Sequence, residues 1–199
     1  MVTHSYGSLH GRELAIKHPN DGADAYVLTA TAANLVGIQT VVQTVTAGSA
    51  SAYDPHDLGN LPPAYMAFRA SGLKDVLYSL DGEFDPKLLK YDMEGPVHTF
   101  SVGELASPKQ NVTSNFTGPV MVLTGRLDPI VCDAKGNNTA QVADCGVGKQ
   151  SIPGRTAEVF PNAKFEVYVP DKTGHNMNLG YSAPEVFGAA HGFLTSAGF

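Results

Sequence analysis

Three residues of this chain have the types and the local sequence that nucleophilic acyl chemistry requires. Ser5 stands in Thr-His-Ser-Tyr-Gly, Asp128 follows the apolar segment Pro-Val-Met-Val-Leu-Thr-Gly, and His175 stands in a polar, glycine-containing loop. A serine hydroxyl is a weak nucleophile at neutral pH, so it needs a base within hydrogen-bonding distance. An imidazole suits that task because it titrates near neutrality, and a carboxylate can hold it in one tautomer. We therefore predict Ser5 as the nucleophile, His175 as the base and Asp128 as the residue that orients the base.

Each of these residues also has a plainer interpretation. Ser5 precedes a predicted helix, so its hydroxyl could cap the amino terminus of that helix. Asp128 could form a turn, and His175 could simply be exposed in its loop. The catalytic hypothesis depends on the three occurring together at the points where predicted strands end.

The elements that would position these residues alternate between strands and helices. The segments 25–30, 119–125 and 164–170 have the apolar and β-branched content of strands, whereas 6–19 and 182–198 predict helices. The last helix begins Ser-Ala-Pro, which predicts a serine cap and a proline in the first turn. This alternation predicts a mostly parallel sheet, and such sheets hold catalytic groups at the carboxyl ends of their strands.

The segment 31–117 has a different pattern of apolar and turn-forming residues. Its apolar stretches are separated by turns rich in proline, glycine and aspartate, and it predicts several helices with irregular connections. Within it, His56 lies between Asp54 and Asp57. A metal site there is an alternative, but we interpret these three as solvated turn residues.

Composition excludes several classes of function. The 199 residues carry 13 basic and 19 acidic side chains, a net charge of −6, and no cluster of lysine or arginine. This argues against binding to nucleic acid or to an anionic membrane surface. No apolar run approaches the roughly 18 residues of a membrane span, and no secretory leader stands at the amino end.

Cysteines and glycosylation motifs nevertheless point to a secreted origin. Cys132 and Cys145 could form a disulfide or remain two free thiols. The Asn-x-Ser/Thr motif, the acceptor for N-linked glycans, occurs at Asn111, Asn115 and Asn137. We therefore expect an extracellular protein whose leader is not part of this chain.

The three motifs resemble those of the α/β-hydrolase superfamily. His-Ser-Tyr-Gly-Ser is similar to its nucleophile elbow, Val-Leu-Thr-Gly-Arg-Leu-Asp to its acid loop and Gly-His-Asn-Met-Asn to its histidine loop. The residues in these motifs are most similar to those of extracellular fungal members of the superfamily. The resemblance implies a hydrolase core at 1–30 and 118–199, a helical cap or lid at 31–117, and a Cys132–Cys145 bridge behind the acid. It also implies that no metal or cofactor is needed.

The resemblance further implies an incomplete α/β fold. The superfamily places about five strands before the elbow, together with a loop that donates one of the two oxyanion N–H groups. Here only residues 1–4 precede Ser5, so we expect the carboxyl-terminal half of such a fold with its amino-terminal strands missing. The N–H of Tyr6 would supply the other oxyanion donor. An exposed sheet edge could then lead to self-association. Thr3 is a second departure, because the superfamily usually has glycine there.

Two classes of function remain open from the sequence. The first is a serine hydrolase that cleaves a carboxylic ester or a related acyl bond in a small apolar or aryl substrate. The second is a non-catalytic α/β-hydrolase-like module that serves binding or interaction. Epoxide, carbon–carbon or peroxide chemistry on the same fold is a weaker option, and a serine nucleophile argues against the epoxide enzymes.

Overall fold

A computed structural model describes seven parts of the chain, which are residues 1–35, 47–68, 73–78, 84–95, 98–106, 112–132 and 145–199. The strands are β1 Val2–His4, β2 Tyr26–Thr29, β3 Ala47–Ser49, β4 Tyr65–Phe68, β5 Thr99–Ser101, β6 Pro119–Leu123 and β7 Lys164–Tyr168. The α-helices are α1 Tyr6–Lys17, α2 Ala50–Tyr53, α3 Leu73–Leu77, α4 Pro86–Met93, α5 Val102–Ala106, α6 Pro129–Cys132 and α7 Ala183–Ser196. Short 3₁₀ helices span Gly154–Glu158 and Met177–Leu179.

The main sheet has the order β1-β2-β6-β7, and all its neighbouring strands are parallel. This confirms the three predicted strands and the parallel sheet. Because the strands are parallel, the chain segments that follow β1, β6 and β7 leave the sheet at one edge. Those segments contain Ser5, Asp128 and His175.

Helices cover both faces of this sheet. On one face, Ala15 of α1 packs with Tyr26 and Leu28 of β2. On the other face, Val186 and Phe193 of α7 belong to the same apolar cluster as strand residues of β2 and β6. Successive residues of β2 therefore point to opposite faces, and all four are buried, as the continuous apolar run predicts. Packing on both faces stabilises the sheet, and the sheet positions the loops that follow β1, β6 and β7.

A second, smaller sheet occupies part of the segment 31–117. Strands β3, β4 and β5 pair antiparallel in sequence order. The sequence predicts only helices there, so that expectation is incomplete, because strands of three or four residues are too short to show alternation. Ser101 and Glu104 form a capping box at the start of α5, in which each side chain bonds the other residue's backbone N–H. The boundaries of a separate cap remain a prediction.

The structure also bears on the expectations for the cysteines, the glycosylation motifs, the cap of α7 and a membrane span. Cys132 and Cys145 form a disulfide. Asn115 is exposed, whereas Asn111 and Asn137 lie outside the described residues. Ser182 stands at the start of α7 but makes no capping hydrogen bond, and its hydroxyl instead lies 2.7 Å from the Thr173 hydroxyl. Among the helices that the structure describes, none is long and apolar enough to cross a membrane.

Candidate active site

Ser5 sits on a sharp turn between β1 and α1. Its φ of 52° and ψ of −122° lie in a region that residues other than glycine rarely adopt. Such a conformation costs about 1–3 kcal/mol and persists only where the surroundings impose it. Ser5 occupies the cap position of α1, yet its side chain makes no capping hydrogen bond. The interpretation of Ser5 as a side-chain cap of α1 is therefore wrong.

The structure brings the three predicted residues into one chain of hydrogen bonds. Ser5 Oγ lies 2.6 Å from His175 Nε2, and His175 Nδ1 lies 2.8 Å from Asp128 Oδ2. A carboxylate only accepts, so Nδ1 carries the proton and Nε2 of the neutral ring accepts from the Ser5 hydroxyl. His175 and Asp128 are 1% and 0% exposed, so water does not compete for these bonds.

The loop after β6 satisfies the buried carboxylate of Asp128. Its second oxygen, Oδ1, accepts the backbone N–H of Ile130 at 2.8 Å and of Val131 at 3.0 Å. These N–H groups belong to the first turn of α6, where no intrahelical acceptor exists. A buried carboxyl group whose two oxygens both accept hydrogen bonds keeps a fixed orientation, and Asp128 can therefore hold the His175 ring.

The histidine loop depends on glycine for space. A Cβ at Gly174 would lie 2.4 Å from the carbonyl oxygen of Tyr78, and a Cβ at Gly125 would lie 2.3 Å from that of Thr173. Among the described glycines, only Gly198 has a positive φ. The sequence suggests that Gly174 gives the loop conformational freedom, but close backbone packing is the actual reason for glycine.

A second imidazole, His4, borders the relay, which the sequence analysis did not anticipate. Its ring centroid lies 5.4 Å from that of His175, and its Nδ1 lies 2.9 Å from Thr29 Oγ1. The Thr29 hydroxyl donates its single proton to the carbonyl of Thr3 at 2.8 Å, so His4 must donate to Thr29 through a protonated Nδ1. Burial and the nearby His175 ring lower the pKa of His4 to about 4. His4 is therefore neutral at pH 7.

A polar cluster of Tyr78, Asp92 and Asn176 lies behind the histidine loop, and the sequence did not predict it. The Tyr78 hydroxyl donates to Asp92 Oδ2 at 2.6 Å, and Asn176 Nδ2 donates to the same oxygen at 3.3 Å. Burial, with the adjacent Asp92 carboxylate, raises the pKa of Tyr78 well above its usual range. No local sequence pattern marks these residues, because the Asp92–Asn176 contact joins positions 84 apart.

Tyr6 is the first residue of α1. The N–H groups in the first turn of an α-helix have no intrahelical acceptor, and the positive end of the helix dipole lies there. The Tyr6 ring packs edge-on against His10 at 4.8 Å, which holds this turn in place. The backbone N–H of Tyr6 thus has the chemical character of the oxyanion donor that the sequence predicts.

A cavity of about 210 Å³ lies beside the relay and does not contain it. Its lining includes Val2 and His4 of the β1 strand and Val186, Phe187 and Ala190 of α7. Neither Ser5 nor His175 lines this cavity, and its walls come from outside the predicted cap. It is therefore not the acyl pocket that the sequence leads one to expect.

The Asp-Pro-His-Asp turn has the local bonding of a surface turn. Asp54 Oδ1 accepts the backbone N–H groups of His56 and Asp57, and His56 is exposed beside Asp57. Within the described residues, no group of three or more histidine, cysteine, aspartate or glutamate side chains is arranged to hold a metal ion.

Comparison with known proteins identifies the fold. No protein-family model matches the chain, and no curated protein sequence matches it. The structure is similar to that of Rv0554 from Mycobacterium tuberculosis, with 19% identity, a TM-score of 0.50, and 100% of this chain and 65% of that chain covered. It is also similar to tomato methylketone synthase I complexed with 2-tridecanone, with 11% identity, a TM-score of 0.58, and 98% and 70% covered.

These similarities show the fold. The chain has part of an α/β-hydrolase fold and spans about two thirds of the length of the solved structures it matches. A fold of this kind carries many different activities, so the reaction must be argued from the site itself. The resemblance to extracellular fungal members remains a prediction.

Proposed function

We propose that this chain is a serine hydrolase that cleaves a carboxylic ester or a related acyl bond. The observation that carries the proposal is the continuous relay from Ser5 Oγ through His175 to Asp128. The backbone strain at Ser5 supports it, because a cap residue would need no such conformation. The strained turn and the relay together direct the Ser5 hydroxyl toward His175, whose ring is already oriented by Asp128.

In the proposed acylation, Ser5 Oγ forms a bond to the substrate carbonyl carbon while its proton moves to His175 Nε2. The carbonyl electron pair moves to oxygen, where the Tyr6 N–H and the amino end of α1 stabilise the oxyanion. Asp128 stabilises the imidazolium. The carbon–oxygen bond to the leaving group then breaks, and His175 gives its proton to the departing alcohol.

Deacylation repeats these steps with water. His175 removes a proton from the water, the resulting oxygen attacks the acyl carbon, and the bond to Ser5 breaks as Oγ regains its proton. The products are a carboxylic acid and an alcohol, and Ser5 and His175 return to their starting states. Methylketone synthase I shares the fold and has been crystallised with 2-tridecanone, so the fold alone does not select an ester substrate.

For the substrate we propose a small apolar or aryl ester. The support is the apolar content of the segment 31–117, whose leucine, valine, alanine, methionine and phenylalanine side chains suit an organic acyl or aryl group. A charged substrate would instead require paired charges near the site.

A fluorophosphonate probe tests the nucleophile directly. We expect the probe to label Ser5, while Ser5→Ala abolishes labelling and Ser196→Ala, at the far end of α7, leaves it unchanged. A panel of nitrophenyl esters then shows whether labelling reflects turnover. Folded protein that neither reacts with the probe nor hydrolyses any ester would refute the proposal and favour the binding-module alternative.

We further propose an extracellular location, which the Cys132–Cys145 disulfide and the exposed Asn115 support. Loss of mass on treatment of the natural protein with an N-glycosidase would test it. Among the described residues, β1 is an edge strand of the main sheet and Val2 is exposed, which supports self-association. Light scattering over a range of concentrations measures this.

A further inference from the structure

The backbone on both sides of His175 rests on one short segment at the end of helix α3. A Cβ at Gly174 would lie 2.4 Å from the Tyr78 carbonyl oxygen, so the two backbones are in direct contact. On the other side, the N–H of Asn176 donates to the carbonyl of Leu77 at 2.7 Å. Leu77 and Tyr78 therefore support the histidine loop at the residue before His175 and at the residue after it.

Asp92 of helix α4 fastens this support to the loop. One of its carboxylate oxygens, Oδ2, accepts from the Tyr78 hydroxyl at 2.6 Å and from Asn176 Nδ2 at 3.3 Å. Tyr78 is buried and Asp92 is half-buried, so the bond between the hydroxyl and the carboxylate is partly shielded from water. Bonds to an ionised acceptor are about twice as strong as those between neutral groups. Asp92 thus joins the support and the loop through one oxygen.

The same cluster reaches the second imidazole beside the relay. The Asn176 side chain acts to raise the pKa of His4, against the larger lowering by burial, and the His4 ring lies 5.4 Å from that of His175. A change at Asp92 that moved Asn176 would therefore alter the surroundings of His4 as well as the histidine loop.

We propose that Asp92 is a positioning residue for His175, which acts through Tyr78 and Asn176 to hold the imidazole in line with Ser5. This inference rests on the proposed function. It assigns the segment that carries α3 and α4 a role in catalytic geometry, beyond shaping a pocket. Displacement of a catalytic group by about 1 Å can cost about 100-fold in rate, so a modest loosening of the loop is measurable.

The test compares three variants of Asp92 and its helix. Asp92→Ala removes the acceptor, Asp92→Asn keeps an acceptor oxygen in the same place, and Glu94→Gln changes an exposed carboxylate two residues along as the matched control. The kinetic readout is fluorophosphonate labelling of Ser5 over a range of probe concentrations. We expect Asp92→Ala to lower the maximal labelling rate by about 10- to 100-fold with little change in probe affinity. Asp92→Asn should retain most of the rate, and Glu94→Gln all of it.

A spectroscopic readout keeps the test independent of activity. The proton on His175 Nδ1, held by Asp128, gives a low-field proton NMR resonance that His175→Ala removes. We expect Asp92→Ala to shift or broaden that resonance, while Glu94→Gln leaves it unchanged. Should the wild-type protein fail to react with the probe, the proposed function fails, and this resonance still decides whether Asp92 positions the ring.

A combined variant tests whether Asp92 acts through its two partners. If it does, then adding Asp92→Ala to a protein that already carries Tyr78→Phe and Asn176→Ala should lower the labelling rate little further. Independent contributions would multiply instead. An Asp92→Ala protein with a lower Tm but an unchanged labelling rate and an unchanged His175 resonance would overturn the inference.

Discussion

Acid should destabilise the folded chain through His4. The ring is held neutral between the Thr29 hydroxyl and the His175 ring, and its pKa is lowered from 6.5 to about 4 by burial and by His175. In the unfolded chain, the His4 ring binds a proton at its ordinary pKa near 6.5. Between pH 6.5 and pH 4 the unfolded state therefore holds a proton that the folded state excludes. The free energy of unfolding must fall as the pH falls through that window.

The size of the effect follows from the two pKa values. Each unit of difference corresponds to about 1.4 kcal/mol, so full acidification through the window should remove about 3 kcal/mol of stability. That amount is a substantial part of the roughly 5–15 kcal/mol that holds a typical domain folded. This loss should appear as a steep fall in the free energy of unfolding below pH 6.5 and should be complete near pH 4.

Urea denaturation at a series of pH values measures this slope. In His4→Gln the amide can still donate to Thr29 but has no proton to gain, so its stability should fall less steeply between pH 6.5 and pH 4. The control His191→Gln removes an exposed histidine of α7 and should follow the wild type. Parallel curves for the wild type and His4→Gln would show that His4 is not held neutral, and the reasoning would be refuted.

Two further predictions concern the framework around the site. Gly174→Ala should cost about 1–3 kcal/mol because its Cβ would lie 2.4 Å from the Tyr78 carbonyl oxygen, whereas Gly192→Ala, which has open space in the interior of α7, should gain up to about 1 kcal/mol. Urea denaturation of both variants measures the difference, and a gain at Gly174 would contradict it. Replacing Cys132 and Cys145 together by serine should cost about 3 kcal/mol through the loop of sequence separation 13 that the disulfide closes, again measured in urea. Equal stability of the two proteins would show that the bridge adds nothing.

The parts of the structure that follow from local sequence were predictable. The strands of the main sheet are short apolar runs, and the helix after Ser5 has a clear beginning and end, so the order of strands and helices could be read directly. Once the sheet is parallel, the residues that follow its strands must share one edge. That single rule brings Ser5, Asp128 and His175 together from distant positions.

The parts that depend on tertiary contact were not predictable. Strands β3 to β5 have three or four residues each and owe their pairing to one another rather than to local pattern. Asp92 and Asn176 meet only because α4 packs near the histidine loop, and a lone aspartate on an amphipathic helix looks like a solvated residue. The Ser182 hydroxyl similarly turns from its helix to Thr173 because a tertiary partner is within reach.

The turn that carries Ser5 also explains how threonine can stand where α/β-hydrolase folds usually have glycine. The side chain of Thr3 points at α1, where a Cβ on Gly11 would come within 3.1 Å of its hydroxyl oxygen. The space that glycine usually provides on the strand is provided here by glycine on the helix. The Thr3 hydroxyl then donates to Ser8 Oγ at 3.1 Å, and Ser8 Oγ donates to the Thr29 carbonyl at 2.8 Å.

These bonds offset the strain of the elbow. The Thr29 carbonyl also accepts the Ser5 N–H at 2.9 Å, so a single acceptor on β2 holds both ends of the turn. Hydrogen bonds of this kind contribute about 1 kcal/mol each, which is comparable with the cost of the positive φ at Ser5. The turn is therefore stable without help from the Ser5 side chain, and the hydroxyl is left to bond His175. A hydroxyl that the backbone does not need, directed at an oriented base, is the physical basis for proposing Ser5 as the nucleophile.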